Sequence, residues 1–369
     1  MIIFFLLFLC ASTSKSYADT GALKIGIIAS LSGPAGEQGK NWLAGAELAV
    51  DDLKQKGINL ELVVEDDATE TKRVATAFTK LATQDKVSAI VGGTWDYLAE
   101  VAYPLALKHQ IPFLTPTNAV EFLSEETKKN PFVFTNALTL AAEKEVLRDF
   151  ILATKPQAYA LIYAQHPFAV AHAELVKSLA EQYKLALSFS AEILLESYSD
   201  TLKTAALKVK QYNPELVYII ADYQGLDLFT RELARLKSNP RILTVQHLDQ
   251  AFDLARDPSR FRNSFAAYPD YDQAFDQKFI AKFNAKPRVF AAHGYDAVMF
   301  LALALSAGIK LEDSSATFSY QGVTGEHLLP TRKRALVTNR AVLMTTQAGR
   351  FEKFSSLNLA TKKMPDREH

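Results

Sequence analysis

Residues 23–50 read LKIGIIASLSGPAGEQGKNWLAGAELAV, and the pattern changes twice along them. Leu23 to Ala29 is apolar except for Lys24 and Gly26, as expected of a strand buried on both faces. A turn bearing Gly33, Pro34 and Gly36 follows. From Trp42 onward, apolar residues recur at 43, 46, 49 and 53, the spacing of one helix face. A buried strand, a glycine-rich turn and a helix open a βαβ unit, and such units build parallel sheets.

Outward from this unit the same rhythm continues. Strands are predicted at 60–64, 87–91, 112–114, 158–163, 187–193, 216–220 and 242–245. Helices are predicted at 42–56, 72–84, from about 95, and at 140–154, 169–183, 199–211 and 226–236. At about 150 residues per domain, 369 residues suit two such α/β units, each with its own core. Residues 130–139 lie where one series ends and the other begins, which places a crossover near Phe134. After about Phe354 the periodicity is lost, and 355–369 read as a disordered polar tail.

Composition narrows the function. There are 41 Lys+Arg against 41 Asp+Glu, so no basic excess is available to neutralise a nucleic-acid backbone, and no nucleic-acid partner is expected. A hydrophobic fraction of 49% excludes a disordered chain. MIIFFLLFLC, residues 1–10, is too short to span a bilayer and fits the apolar core of a secretory signal. Ser16-Tyr17-Ala18 supplies the small residues before a cut, so residues 1–18 are expected to be a signal peptide cleaved after Ala18. A basic n-region is missing from it, and Cys10 lacks the small residues a lipoprotein cysteine follows. Cleavage removes the only cysteine, which leaves no disulfide and no thiolate chemistry.

No catalytic motif emerges. G-x-S-x-G and G-x-G-x-x-G are absent, and residues 33–41 miss the phosphate-loop spacing by one, with Asn41 in place of the Ser or Thr. The seven histidines, His166 and His172 among them, form no H-E-x-x-H pair and are expected as solvated or hydrogen-bonded core residues. No enzyme activity, metal or cofactor is expected.

Four local patterns occur in order: Ala29-Ser30-Leu31-Ser32-Gly33-Pro34 running to Gly45-Ala46-Glu47; Val91-Gly92-Gly93-Thr94-Trp95-Asp96; Ile111-Pro112-Phe113-Leu114-Thr115-Pro116-Thr117-Asn118; and His293-Gly294-Tyr295-Asp296 with Gly322-Val323-Thr324-Gly325. Over residues 23–351 this set resembles the branched-chain amino-acid (Leu/Ile/Val) binding proteins, the periplasmic solute receptors of ABC importers. The resemblance implies a type I periplasmic binding fold: two Rossmann-like doubly wound lobes joined by three crossovers, near Phe134, Tyr268 and Pro330. Lobe one would then hold 20–134 and 268–330, and lobe two 135–267 and 331–354. It further implies a periplasmic monomer that captures a small solute, an amino acid or related amide or carboxylate, and docks on an inner-membrane permease. A sensor of the same fold, reporting to a regulatory partner, is the alternative.

In open parallel sheets ligands sit beyond the carboxyl ends of the strands, so the site is sought there. The helix starting near Asp96 offers free N–H groups to a carboxylate, with Ser32, Trp95 and Tyr97 beside it. By resemblance, Thr117 and Asn118 hold an α-amino group, Phe168 and Tyr223 close over the solute, and Asp222 meets an ammonium. Two positions depart from the family: Asp96 replaces a small hydroxyl residue, and Gln246 replaces a glutamate. Asp96 either caps its own helix, or the solute is not an α-amino acid or is cationic at that end.

Overall fold

The computed structural model describes residues 22–332 and 334–354; the expected signal peptide and the expected tail lie outside them. The first lobe begins with β1 (Leu23–Ala29), α1 (Gly36–Gln55), β2 (Leu60–Asp66), α2 (Thr71–Thr83) and β3 (Ala89–Gly92). It continues through α3 (Asp96–His109), β4 (Phe113–Thr115) and β5 (Val133–Thr135). The chain then enters the second lobe with α4 (Leu140–Thr154), β6 (Ala158–Ala164), α5 (Pro167–Gln182), β7 (Ala186–Ile193) and α6 (Tyr198–Tyr212). That lobe goes on with β8 (Leu216–Ile220), α7 (Tyr223–Arg235), β9 (Arg241–Thr244), α8 (Leu248–Leu254) and β10 (Ser264–Pro269). α9 (Gln273–Phe283), α10 (Val289–Ser306), β11 (Phe318–Gln321), β12 (Gly325–Arg332) and β13 (Ala335–Asn339) return to the first lobe. β14 (Ala341–Thr345) and β15 (Glu352–Lys353) finish the second.

Among the described residues the first sheet runs β11-β12-β13-β5-β4-β3-β1-β2 and the second β15-β14-β10-β9-β8-β6-β7. Strands β1 to β5 pair in parallel, as do β6 to β10. The late strands extend both sheets: β13 pairs in parallel with β5, β12 and β11 follow it antiparallel, and β14 and β15 add antiparallel strands to the second sheet. The third passage between lobes thus falls at Arg340, later than the Pro330 expected from sequence, because the β12–β13 hairpin stays on the first sheet.

Alternation along β1 shows why both faces had to be apolar. Ile25 and Ile27 join a core with α1 and α10, whereas Ile28 joins a core with α2 and α3. The second lobe repeats this: Ala160 and Ile162 of β6 face α6, α7 and α8, and Tyr159 and Leu161 face α4 and α5. Each lobe therefore has a sheet sandwiched between two helical layers.

α1 starts at Gly36, six residues before the expected position. Its first turns are glycine-rich because they lie against β1: a Cβ on Gly39 would stand 1.8 Å from the Ser30 carbonyl oxygen. The glycines required for that approach erase the hydrophobic spacing by which a helix is recognised. α10 has the length and apolarity to cross a membrane, but 83% of it is buried against the first lobe's core, as a central core helix would be.

Candidate functional site

The loops at the carboxyl ends of β1, β3 and β4 meet on one side of the first sheet. Ser30 N–H and Trp42 Nε1–H both donate to Thr94 Oγ1, at 2.9 and 3.3 Å. Ser30 Oγ donates to Asp67 Oδ1 at 2.6 Å. Burial raises the Asp67 carboxyl, and the Ser30 hydroxyl opposes that shift. Thr117 Oγ1 donates to the Gly93 carbonyl, which ties the loop after β4 to the start of α3. These loops are braced by their own polar side chains before any solute is considered.

Residue by residue, the expected site divides. Ser32 is exposed and spent on bracing: its hydroxyl donates to Asp66 Oδ2 at 2.7 Å and its N–H to Asp66 Oδ1 at 3.3 Å. Trp95 is the N-cap residue of α3, and Asp96 is that helix's first residue. Asp96 Oδ1 accepts from Tyr97 N–H at 2.9 Å, so one carboxylate oxygen serves the helix's own first turn. Tyr97 is 41% exposed, with its ring 6.0 Å from that of Trp95. Asn118 is buried, and its Nδ2 donates to Tyr103 Oη at 2.7 Å while Oδ1 accepts no hydrogen bond.

On the second lobe, Asp222 caps α7: its Oδ1 accepts from Gly225 N–H at 2.7 Å and from Tyr198 Oη–H at 2.8 Å. Such caps contribute about 1 kcal/mol, and this one engages one of the two oxygens of the carboxylate expected to meet an ammonium. Tyr223 lines a groove of about 380 Å³ with Tyr198, Asp227, Leu228, Arg231 and Leu254; every lining residue belongs to lobe two. Phe168 does reach the other lobe, with its ring 5.5 Å from that of Phe122. Gln246 is buried at the end of β9, and its Oε1 lacks a hydrogen-bond partner.

The lobes meet through side chains that no motif singled out. Gln38 of α1 accepts from Trp95 Nε1–H through Oε1, and its Nε2 stands 3.2 Å from Nδ1 of His247 on the second lobe. Phe122 of the first lobe lies over His172 of α5, ring centroids 5.9 Å apart and nearly parallel. His172 is buried, with Nδ1 2.8 Å from the Phe168 carbonyl oxygen and Nε2 3.2 Å from Glu143 Oε2. Both ring nitrogens face acceptors; burial works against the charge, but Glu143 raises the pKa and favours the imidazolium. His166 lies on the opposite side of that balance, lowered by burial despite the field of Asp96 from the other lobe. Arg288 Nη1, at the start of α10, reaches Asp253 Oδ2 of α8 at 3.2 Å.

The signal for these contacts was positional. Gln38 follows the first strand's turn, and His166 and His247 each sit just past the end of a lobe-two strand, where ligand-facing loops are expected. The two late motifs have a structural role. Asp296 is fully buried and accepts from Val323 N–H, Thr324 N–H and Thr324 Oγ1–H at 2.9, 2.7 and 2.6 Å. It pins the β11–β12 turn to α10. Among the described residues no group of three or more His, Cys, Asp or Glu is placed to hold a metal.

The chain forms two α/β lobes that meet through residues near the ends of their strands, and comparison gives the family. Residues 22–333 match the periplasmic binding protein family, so the chain belongs to it. A Leu/Ile/Val-binding protein, BraC3, from Rhizobium johnstonii is 23% identical over 313 residues, which span 80% of this chain and 82% of that one. The branched-chain amino-acid substrate-binding protein LivJ from Streptococcus pneumoniae, solved with isoleucine, superposes with a TM-score of 0.78 at 22% identity. That match covers 90% of this chain and 98% of LivJ. A solute-binding protein from Rhodopseudomonas palustris, solved with 3,4-dihydroxybenzoic acid, gives 0.76 at 16% identity, with 88% and 93% covered. The family and these relatives are binding proteins rather than enzymes, in keeping with the sequence's lack of a catalytic motif.

Proposed function

We propose that the chain is an extracytoplasmic receptor that captures a small solute between its lobes and delivers it to an ABC importer. The supporting observation is that Trp95 after β3 and His247 after β9 meet through Gln38 in the first turn of α1, so that polar side chains face each other across the lobe boundary. The solute is an amino acid or a related amide or carboxylate. Trp95 and Phe168 suit an apolar part, while Asp96, Thr117, Asn118 and Gln246 supply polar contacts. Tyr97 stands at the rim. Ser32, Asp222 and Tyr223 act at one remove, through the loop, cap and groove they build. The isoleucine and dihydroxybenzoate carried by the two structural relatives lie within the chemical range such a cleft serves.

Thermal-shift titration against amino acids, amides, carboxylates and polyamines tests the reading, after unfolding and refolding to strip carried-over solute. A solute at a hundred times its Kd stabilises the native state by about 2.7 kcal/mol, and mass spectrometry should recover it unchanged. Well-folded protein that responds to nothing in the panel would sink the solute-receptor reading. Export is tested separately: a signal of residues 1–18 predicts a mature N-terminus at Asp19 by N-terminal sequencing.

A further inference from the structure

Hydrogen-bond chemistry assigns every proton along the Trp95–Gln38–His247 chain. An indole N–H can only donate, so the Gln38 atom facing Trp95 must be the acceptor Oε1. That leaves Nε2, a donor only, facing His247 Nδ1 at 3.2 Å. Nδ1 must therefore be unprotonated, and the ring neutral with its hydrogen on Nε2. Turning the Gln38 amide over would satisfy a protonated Nδ1 but would set two donors face to face at Trp95. Gln38 is itself 6% exposed, so water does not readily replace a lost partner.

We propose that Gln38 is the positioning residue that fastens the closed lobes, and that the fastening releases when His247 gains a second proton. Gln38 and Trp95 belong to lobe one and His247 to lobe two, so the Trp95 bond holds the Gln38 amide in place and the Gln38–His247 bond exists only while the lobes are together. An open lobe two leaves the imidazole near its ordinary pKa of about 6.5. Burial in the closed form lowers it; Asp222 at the start of α7 opposes that shift, and His172 of α5 reinforces it. Asp249, on the helix that His247 precedes, is itself engaged by Tyr268 Oη–H at 2.7 Å. Protons thus prefer the open form. The closed-to-open ratio has its full value above about pH 6.5, and between the open and closed pKa values it falls by up to tenfold per pH unit.

The functional consequence, solute release on acidification, rests on the receptor reading, but the measurement needs no solute. Small-angle X-ray scattering of the full chain is recorded from pH 8 to 5.5, with far-UV circular dichroism confirming that each sample is folded. The wild-type radius of gyration should rise on acidification with a midpoint below 6.5. His247→Asn places an acceptor oxygen near the Nδ1 position and cannot titrate, so it should stay compact throughout. Gln38→Leu should be expanded at every pH. Gln38→Glu gives the decisive sign: two acceptors now face Trp95 and His247, so closure requires the protonated ring and should increase as pH falls. A wild-type radius independent of pH overturns the proposal. So does a Gln38→Glu profile of the same sign as wild type, or a His247→Asn protein that still expands, which would move the switch to His166.

Discussion

Two residues of one helix turn show how burial sets the terms for a side chain. Asp296 is buried with its carboxylate serving Val323 and Thr324, so it behaves as a fixed acceptor for a turn in another element. Hydrogen bonds to a charged group contribute about 1.5–3 kcal/mol each and are not additive. Asp296→Ala should therefore destabilise the protein by about 3 kcal/mol in urea unfolding, and Asp296→Asn by less. A loss below about 1 kcal/mol would show that water replaces the carboxylate. His293, three residues earlier, is buried with Nδ1 on the Val289 carbonyl at 3.1 Å and no partner for Nε2. Burial pulls it down to about 4. Its unfolded counterpart titrates near 6.5, so the unfolded state binds more protons between those values. Stability is then full above pH 6.5 and falls as pH drops towards 4, on the order of 3 kcal/mol in all. His293→Gln should flatten that slope; a wild-type curve level from pH 7 to 5 would contradict the assignment.

At the scale of elements, what could be read from sequence was set by periodicity and what could not by glycine and brevity. β1, α4 and β8 lie where apolar spacing puts them, because each is long and buries a regular face. β5 and β13 are short, and β11 and β15 are edge strands of four and two residues, too brief for an apolar alternation to show. Strand ends pointed to the right loops for the cleft, but the contact partners Gln38, Phe122 and His247 depend on how two lobes pack, which local spacing does not encode. The α1–α10 joint is similar. Gly45 stands out only as a weak helix former, yet a Cβ there would lie 1.9 Å from the Ala291 carbonyl oxygen, a backbone atom that cannot swing away. Gly-to-Ala ordinarily stabilises a helix interior by roughly 1 kcal/mol. Here overpacking should reverse the sign, so that Gly45→Ala costs about 1–3 kcal/mol. Greater stability in the variant would mean that the two helices are free to separate.

At the scale of the whole molecule, the cores follow the lobes except that Tyr268 of β10 joins the first lobe's core, and polar contacts between the lobes are added to it. Arg288–Asp253 is one of them, joining the start of α10 to α8 with side chains 25% and 40% exposed. Exposed pairs contribute about 0.2–1 kcal/mol, too little to matter for a lobe's folding but enough to shift a balance between open and closed forms. Apparent affinity is the intrinsic affinity scaled by the closed fraction. Arg288→Ala should therefore weaken binding of the solute found in the thermal-shift panel by about two- to fivefold, with unfolding of the solute-free protein unchanged. The mechanism carries its own control. At 1 M salt the screening length is about 3 Å, and the difference between variant and wild type should shrink towards zero. A loss of affinity that survives 1 M salt would mean that Arg288 touches the solute, and the pair would then belong to the site itself rather than to its closure.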